Sequence, residues 1–319
     1  MVSSGAHNGR IVALAGGVGG AKLLQGLAAV VPGNALSAIV NTADDFELYG
    51  LHISPDIDTV MYTLAGLANP ETGWGIAGDT RATLDAITRY GEDPWFLLGD
   101  QDFATHILRT HGLRSGATLT SVTSQLASSL DIDTVLLPMT DDRVSTEVLA
   151  ADGWLAFQDY FVARRQEDDV LDVRFVGIES AGPTVDVIRA IESADLIVFC
   201  PSNPVVSIGP ILDVPGMREA IVQANAPVIA VSLIVGGRAL KGPADRMLAA
   251  QDVEVSALGV ARLYQGILDA IVIDTVDAHL ASPLADLGLR VTVSQTIMGG
   301  RDDRTRLARD VVDAGWMLG

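Results

Sequence analysis

The sequence predicts an α/β fold: a doubly wound, Rossmann-like parallel sheet with a smaller inserted α+β region, forming a single domain over residues 1–319. Three observations carry the prediction. The runs Leu196-Ile197-Val198-Phe199, Val228-Ile229-Ala230-Val231 and Ala270-Ile271-Val272-Ile273 are continuously apolar and bounded by Pro, Gly or Asp nearby, the pattern of strands covered on both faces. Helix-patterned segments separate such runs, as parallel strands require. An earlier run, Ile11-Val12-Ala13-Leu14-Ala15, ends in Gly16-Gly17-Val18-Gly19-Gly20, a strand-to-helix turn of the kind that opens a βαβ unit.

Taken in order, a helix is expected over 21–30, where apolar residues recur at helical spacing, and a second strand over 36–40. Residues 41–56 read as loop and 57–67 as helix. The middle of the chain is helix-rich, with helices near 80–90, 103–110 and 119–128, followed by a strand at 134–137 and a β-rich stretch over 144–176. The span of approximately 60–175 is read as the inserted helix-rich and β subdomain. A helix over 184–191 then leads into the later apolar runs. There is no internal repeat, heptad pattern or low-complexity tract.

A chain of 319 residues, 49% of them hydrophobic, is long enough to bury a large core, and only the polar stretch Met1 to Arg10 reads as a flexible tail. Every apolar run is broken within about ten residues, short of the roughly 20 that span a bilayer. A soluble, cytoplasmic protein without a membrane partner is expected, with homodimerisation as the base expectation. The single cysteine, Cys200, allows neither an intrachain disulfide nor a cysteine zinc site. Forty acidic against 21 basic residues give a net charge of −19, which lacks the basic stripe that nucleic acid needs. A phosphate ester would have to be held by local devices: helix N-termini, backbone N–H groups and a divalent cation.

Gly16, Gly17, Gly19 and Gly20, followed by Lys22, allow backbone N–H groups to approach a pyrophosphate at a helix N-terminus. The plain alternative is a tight strand-to-helix turn. The run departs from the strict dinucleotide fingerprint, and Lys22 is followed by Leu23 rather than the Ser or Thr of a phosphate loop, so alone it names no substrate. Asn41-Thr42-Ala43-Asp44-Asp45 follows the second strand, where α/β folds place ligand-facing residues, and Ile53-Ser54-Pro55-Asp56-Ile57-Asp58-Thr59 comes a short loop later. Helix capping by Ser54 or Asp56 accounts for part of this pattern. Four aspartates in one loop and helix start exceed what capping needs and point to a metal and substrate site. Gly99-Asp100-Gln101-Asp102 and Pro138-Met139-Thr140-Asp141-Asp142-Arg143 fit either such a site or solvated turns. His106, four residues after Asp102, reads as a packed or surface histidine, and five His without HExxH spacing argue against a histidine-rich metal site. The loop Pro201-Ser202-Asn203-Pro204, directly after an apolar run, suits nucleotide reading, and Gly236-Gly237 with Lys241-Gly242-Pro243 repeats the arrangement after the next run.

These motifs, in this order and over nearly the whole chain, resemble those of the 2-phospho-L-lactate transferases of deazaflavin-coenzyme (F420) biosynthesis. The resemblance implies a Mg²⁺-dependent phosphotransferase. It would move a phosphorylated three-carbon acid (2-phospholactyl, phosphoenolpyruvyl or 3-phosphoglyceryl) from a guanosine-diphosphate-linked (GDP-type) donor to a hydroxyl of the deazaflavin Fo and release GMP. Carried over by position, it implies that Gly16, Gly17, Gly19, Gly20 and Lys22 hold phosphates. It also implies that Asp56 contacts Fo and that Ser202, Asn203 and Pro204 bind the guanosine side. Asp45 and Asp58 are the candidate metal ligands, and Asp44, Asp45 and Asp58 the candidate catalytic acids, one of them accepting the hydroxyl proton. Two positions depart from the pattern. Cys200 stands where glycine is expected, and Leu97 stands where relatives often carry a basic Fo contact, leaving Arg89 as the substitute. A non-catalytic sister group of nucleotide-sugar-binding regulators shares the glycine turn and double aspartate but continues with a Gly/Ser-rich segment, unlike Phe46-Glu47-Leu48-Tyr49 here. A nicotinamide-dependent oxidoreductase is the other alternative, disfavoured by the incomplete glycine fingerprint.

Overall fold

In the computed structural model, which describes residues 9–318, β1 (Ile11–Ala15) runs into α1 (Gly17–Ala28) and the chain returns as β2 (Leu36–Val40). The tail expected over Met1 to Arg10 lies, apart from its last two residues, outside the described residues. A hairpin of β3 (Phe46–Leu48) and β4 (Leu51–Ile53) precedes α2 (Pro55–Leu64). Helices α3 (Ala82–Arg89), α4 (Asp100–Arg114) and α5 (Leu119–Ser129) lead to β5 (Val135–Pro138). Next come β6 (Ser145–Ala150), β7 (Gly153–Ala156) and β8 (Asp172–Val176), which form a separate antiparallel sheet in the order β7-β6-β8. The second half runs through α6 (Val185–Glu192), β9 (Leu196–Phe199), α7 (Ile208–Asp213), α8 (Met217–Gln223) and β10 (Val228–Val231). A small ribbon, β11 (Ile234–Val235) and β12 (Arg238–Ala239), is followed by α9 (Ala244–Ala250), α10 (Ala257–Leu263) and β13 (Ala270–Asp274). The chain ends with α11 (Ala281–Ala285), β14 (Arg290–Ser294) and α12 (Arg301–Trp316).

The central sheet has the order β14-β13-β10-β9-β1-β2-β5 with every pair parallel, the doubly wound sheet that the apolar runs predict. From β1 the chain first adds β2 and β5 on one side, then crosses to build β9, β10, β13 and β14 on the other. Strand order therefore reverses between β1 and β9, and in such sheets the reversal opens a crevice beyond the carboxyl ends of the strands. Both faces are covered. Val12 and Leu14 of β1 face one core with Phe199 and Ile271, while Ile11, Ala13 and Ala15 face the other with Leu23, Leu27 and Leu307. With each fully buried Leu or Ile contributing about 1.5–3 kcal/mol, strands in this position have no solvent face to encode and read as unbroken apolar runs.

Three features go beyond the sequence reading. The segment expected as loop at 41–56 contains the β3–β4 hairpin, turned by Tyr49 (φ 53°) and Gly50 (φ 72°), the pair of left-handed residues that a two-residue turn between twisted strands requires. Within the span of about 60–175 expected as the inserted region, β5 returns to the edge of the central sheet beside β2, so the helices before it and the sheet after it are two excursions. At the far end, β14 is a partly exposed edge strand and α12 is mostly polar, burying a stripe of Leu307, Ala308, Val311 and Val312. Among the described residues no helix is long and apolar enough to cross a membrane.

The start of α1 approaches the loop after β9 closely. A Cβ on Gly19 would lie 2.2 Å from the Pro201 carbonyl oxygen, and one on Gly20 would lie 2.5 Å from Ser202 Oγ. Gly19→Ala should therefore lower stability by about 1–3 kcal/mol through overpacking, read as a shifted urea-unfolding midpoint; an unshifted midpoint would show that the turn yields freely.

Candidate functional site

The crevice at the β1/β9 reversal is a cleft of ≈ 780 Å³. Its floor is locked by backbone-directed hydrogen bonds. Ser202 Oγ accepts from the Gly16 N–H at 3.0 Å and donates to the Gly16 carbonyl at 2.8 Å, joining the loop after β9 to the glycine turn. Asp56, on the first turn of α2, accepts from the Gly17 N–H at 2.8 Å and from Asn41 Nδ2 at 2.9 Å. The fully buried Asn41 also donates to the Val206 carbonyl at 3.2 Å. Gly16 must lack a side chain, because a Cβ there would sit 2.5 Å from Asp56 Oδ2.

Two carboxylates face this floor. Asp44 and Asp56 both line the cleft and are buried. Burial, followed by the neighbouring Asp56 charge, holds Asp44 well above the usual carboxylate range. Burial pushes Asp56 up to about 6, against the hydrogen bonds from Asn41 and Gly17 that favour its charged form. Among the described residues, Asp44 Oδ1 and, outside the cleft lining, Asp45 Oδ1 are buried without a hydrogen-bond partner. Two adjacent carboxylates whose charges oppose one another, with an oxygen left over, form the donor set that a hard divalent cation satisfies.

The other two aspartates of the group are engaged elsewhere. Asp45 does not line the cleft; its Oδ2 accepts from Ser54 Oγ at 2.7 Å and pairs with His52 Nε2 of the hairpin at 2.9 Å. Asp58 lines the cleft, but both its oxygens are forked by the guanidinium of Arg109, which is fully buried. Of the expected metal pair, then, Asp45 lies outside the cleft lining and Asp58 is paired with Arg109, while Asp44 and Asp56 line the cleft without an arginine partner among the described residues. Beside Asp58, His106 Nδ1 lies 3.6 Å from Asp58 Oδ2 and its Nε2 3.3 Å from Asp102 Oδ1, while Tyr62 donates to Asp102 at 2.7 Å. Asp58, Asp102 and His106 bring three ligand-capable atoms within 4.8 Å of one another, yet the Arg109 charge on Asp58 opposes a cation there.

Of the other predicted residues, Gly16, Gly17, Gly19, Lys22, Ser202 and Asn203 line the cleft, whereas Gly20 and Pro204 pack behind it. Ser202 serves the floor, and Asn203 Oδ1 accepts from the N–H groups of Val205 and Val206, shaping its own loop. Arg89 is exposed near the end of α3 and lines no part of the cleft, so it does not replace a basic residue at Leu97, which does. Of the two acidic motifs left open, Asp102 lines the cleft, while the other acids are caps and ties. Asp100 accepts from the N–H groups of Ala82 and Thr83 at the start of α3, Asp141 from that of Thr120 in α5, and Asp142 from that of Gly182. Lys241, Gly242 and Pro243 of the later glycine-proline motif also line the cleft, and residues that the motifs did not reveal join them: Tyr62 and the aromatic side chains Trp74, Trp95, Phe96, Phe157 and Phe161. The spacing of Asp102, His106 and Arg109, four and three residues apart, is the sequence signal that places them on one face of α4.

The chain matches the family model described as 2-phospho-L-lactate transferase CofD over residues 11–290. It is 46% identical over 310 residues to the phosphoenolpyruvate transferase of Streptomyces griseus, covering 95% of this chain and 98% of that protein. It is 40% identical over 302 residues to the 2-phospho-L-lactate transferase of Methanosarcina acetivorans, covering 95% and 98%. Among solved structures, that of a UPF0052-family protein from Bacillus halodurans is similar with a TM-score of 0.62 at 18% identity, covering 97% of this chain and 100% of that one, which bears on the fold alone.

The two kinds of aspartate separate by stability. Asp58→Ala strands a buried guanidinium and should cost about 3–5 kcal/mol, with Asp58→Leu combined with Arg109→Leu recovering most of it. Asp44→Asn removes a charge that its surroundings disfavour and should leave the unfolding midpoint in cation-free buffer unchanged or raised. Equal losses in Asp58→Ala and Asp44→Asn would contradict this division.

Proposed function

Because the chain belongs to the 2-phospho-L-lactate transferase CofD family, we propose that it transfers a phosphorylated three-carbon acid from a guanosine-diphosphate-linked donor to the deazaflavin Fo in coenzyme F420 biosynthesis. The single observation that carries this reading is the meeting, at the β1/β9 reversal, of the glycine turn with the Asp44–Asp56 pair. With the Gly16 and Gly17 N–H groups taken by Ser202 and Asp56, the N–H groups of Val18 and Gly19 in the first turn of α1 are those offered to a diphosphate. The aromatic side chains Trp74, Trp95 and Phe96 in the same cleft suit a flat heterocycle. Asp44 and Asp56 would hold Mg²⁺, which supplies neutralisation of phosphate charge when bound. In the reaction a primary hydroxyl of Fo forms a bond to the donor phosphorus that bears the three-carbon acid, the bond from that phosphorus to the GMP oxygen breaks, and GMP leaves. The hydroxyl proton passes to Asp44 or Asp56, the acids of the group that line the cleft and are not held by Arg109. Such a transfer needs little covalent help from protein, so positioning and charge complementarity supply most of the rate.

The direct test follows GMP and the phosphodiester product by mass spectrometry with Mg²⁺, Fo and, in parallel, the lactyl, phosphoenolpyruvyl and glyceryl donors. One donor should give both products, and Asp44→Asn and Asp56→Asn should each lower turnover on the order of 10²-fold or more. Folded protein that gives no product from any donor yet binds a UDP-sugar would support the regulator reading instead.

A second expectation concerns pH. Unfolded carboxyls titrate near 4, whereas Asp56 in the fold titrates at about 6 and Asp44 is also raised. Folded protein therefore binds more protons across this window, and cation-free stability falls as pH rises from about 4 through about 6. Mg²⁺ requires the ionised pair, so the increase in Tm that it produces should be small near about pH 5 and larger near about pH 7.5. An increase independent of pH would contradict the assignment.

A further inference from the structure

The chain contains 21 basic side chains, of which 19 are Arg and only two are Lys, Lys22 and Lys241. Both line the same cleft. Lys22, on α1, donates to the Met298 carbonyl at 3.2 Å, and Lys241, after β12, donates to the Thr72 carbonyl at 3.0 Å. Neither makes a carboxylate salt bridge within the described residues, although acids outnumber bases by 40 to 21. An ammonium carries three donors, so each retains N–H groups for something else. Burial, then the positive charges of Arg304 and Lys241, lowers the pKa of Lys22. Lys241 also comes near the glycine turn, since a Cβ on Gly73 would lie 2.7 Å from Val18 Cγ1 and 3.7 Å from Lys241 Nζ, and its charge is felt at Lys22.

The proposed donor has two kinds of anion. Its diphosphate is matched by the turn N–H groups and by a cation on Asp44 and Asp56. Its carboxylate, a few bonds from the transferred phosphorus, is matched by neither. We propose that Lys22 and Lys241 together receive the carboxylate of the three-carbon acid and so select donors that carry an acid. This rests on the transfer reaction proposed above. A compact ammonium on a flexible stem suits a carboxylate whose position shifts as the phosphorus moves between leaving and attacking oxygens, where a rigid guanidinium fork would favour one geometry.

The test compares the phosphoenolpyruvyl donor with the ethyl ester of GDP, which has the same diphosphate linkage and no carboxylate. The wild type should prefer the acid donor by kcat/KM. Lys241→Met should lose on the order of 10- to 100-fold toward the acid donor, with the ethyl donor and GDP affinity changed by less than about 3-fold, and Lys241→Arg should restore part of the loss. Equal losses toward both donors, or a parallel loss of GDP affinity, would overturn the proposal and assign the lysines to the diphosphate. An activity-independent reading uses ¹³C reductive methylation, which keeps the charge and labels only these two side chains besides the N-terminus. Both lysine resonances should move when the acid donor is added and far less with the ethyl ester; identical shifts would again overturn it. Failure of the wild type to release GMP from any donor would instead defeat the transfer reaction itself.

Discussion

The carboxylate of Asp56 accepts one hydrogen bond from the Gly17 N–H and another from Asn41, and through them the loops after three parallel strands are fixed to one another. Gly17 follows β1, Asn41 follows β2, and Asn41 reaches on to Val206 after β9. Ser202 closes the same circuit by bridging both backbone groups of Gly16. Burying a carboxylate is costly. Here two hydrogen bonds and the N-terminus of α2 offset part of that cost, and the remainder appears as a pKa raised to about 6. The cleft is thus preorganised by a carboxylate whose charge the fold stabilises only in part.

Charge is distributed locally in the same spirit. A chain with a net charge of −19 repels anions at long range, so an anionic substrate is bound only where specific groups outweigh the field. The glycine turn provides N–H groups without adding charge, while the buried Asp58–Arg109 pair neutralises itself and stiffens the wall between α2 and α4. Breaking that pair would be felt first as instability, which separates it from the Asp44–Asp56 pair despite the closeness of all four acids in sequence.

The sheet was legible because strands covered on both faces leave unbroken apolar runs, and the glycine turn because close approach of α1 to Pro201 and Ser202 admits no side chain. The short hairpin was not, since Phe46-Glu47-Leu48 is too brief to show alternation and its turn depends on a left-handed Tyr49. Nor was α12, whose narrow buried stripe is diluted by charge. At the site, sequence located the aspartate group but not which members face the cleft: Asp44 and Asp45 are neighbours in a turn, and the choice between them was made by His52 and Ser54 drawing Asp45 aside. Arg109 meets Asp58 across 51 residues of chain, a pairing that no local pattern announces.

The most direct test of this account is a titration of Mn²⁺, standing in for Mg²⁺, followed by electron paramagnetic resonance in wild type, Asp44→Asn, Asp45→Asn and Asp56→Asn with GDP present. Binding should be lost or weakened more than about 10-fold in the Asp44 and Asp56 variants and stay close to wild type in the Asp45 variant. Binding that survives the loss of Asp44 and disappears with Asp45 would contradict it.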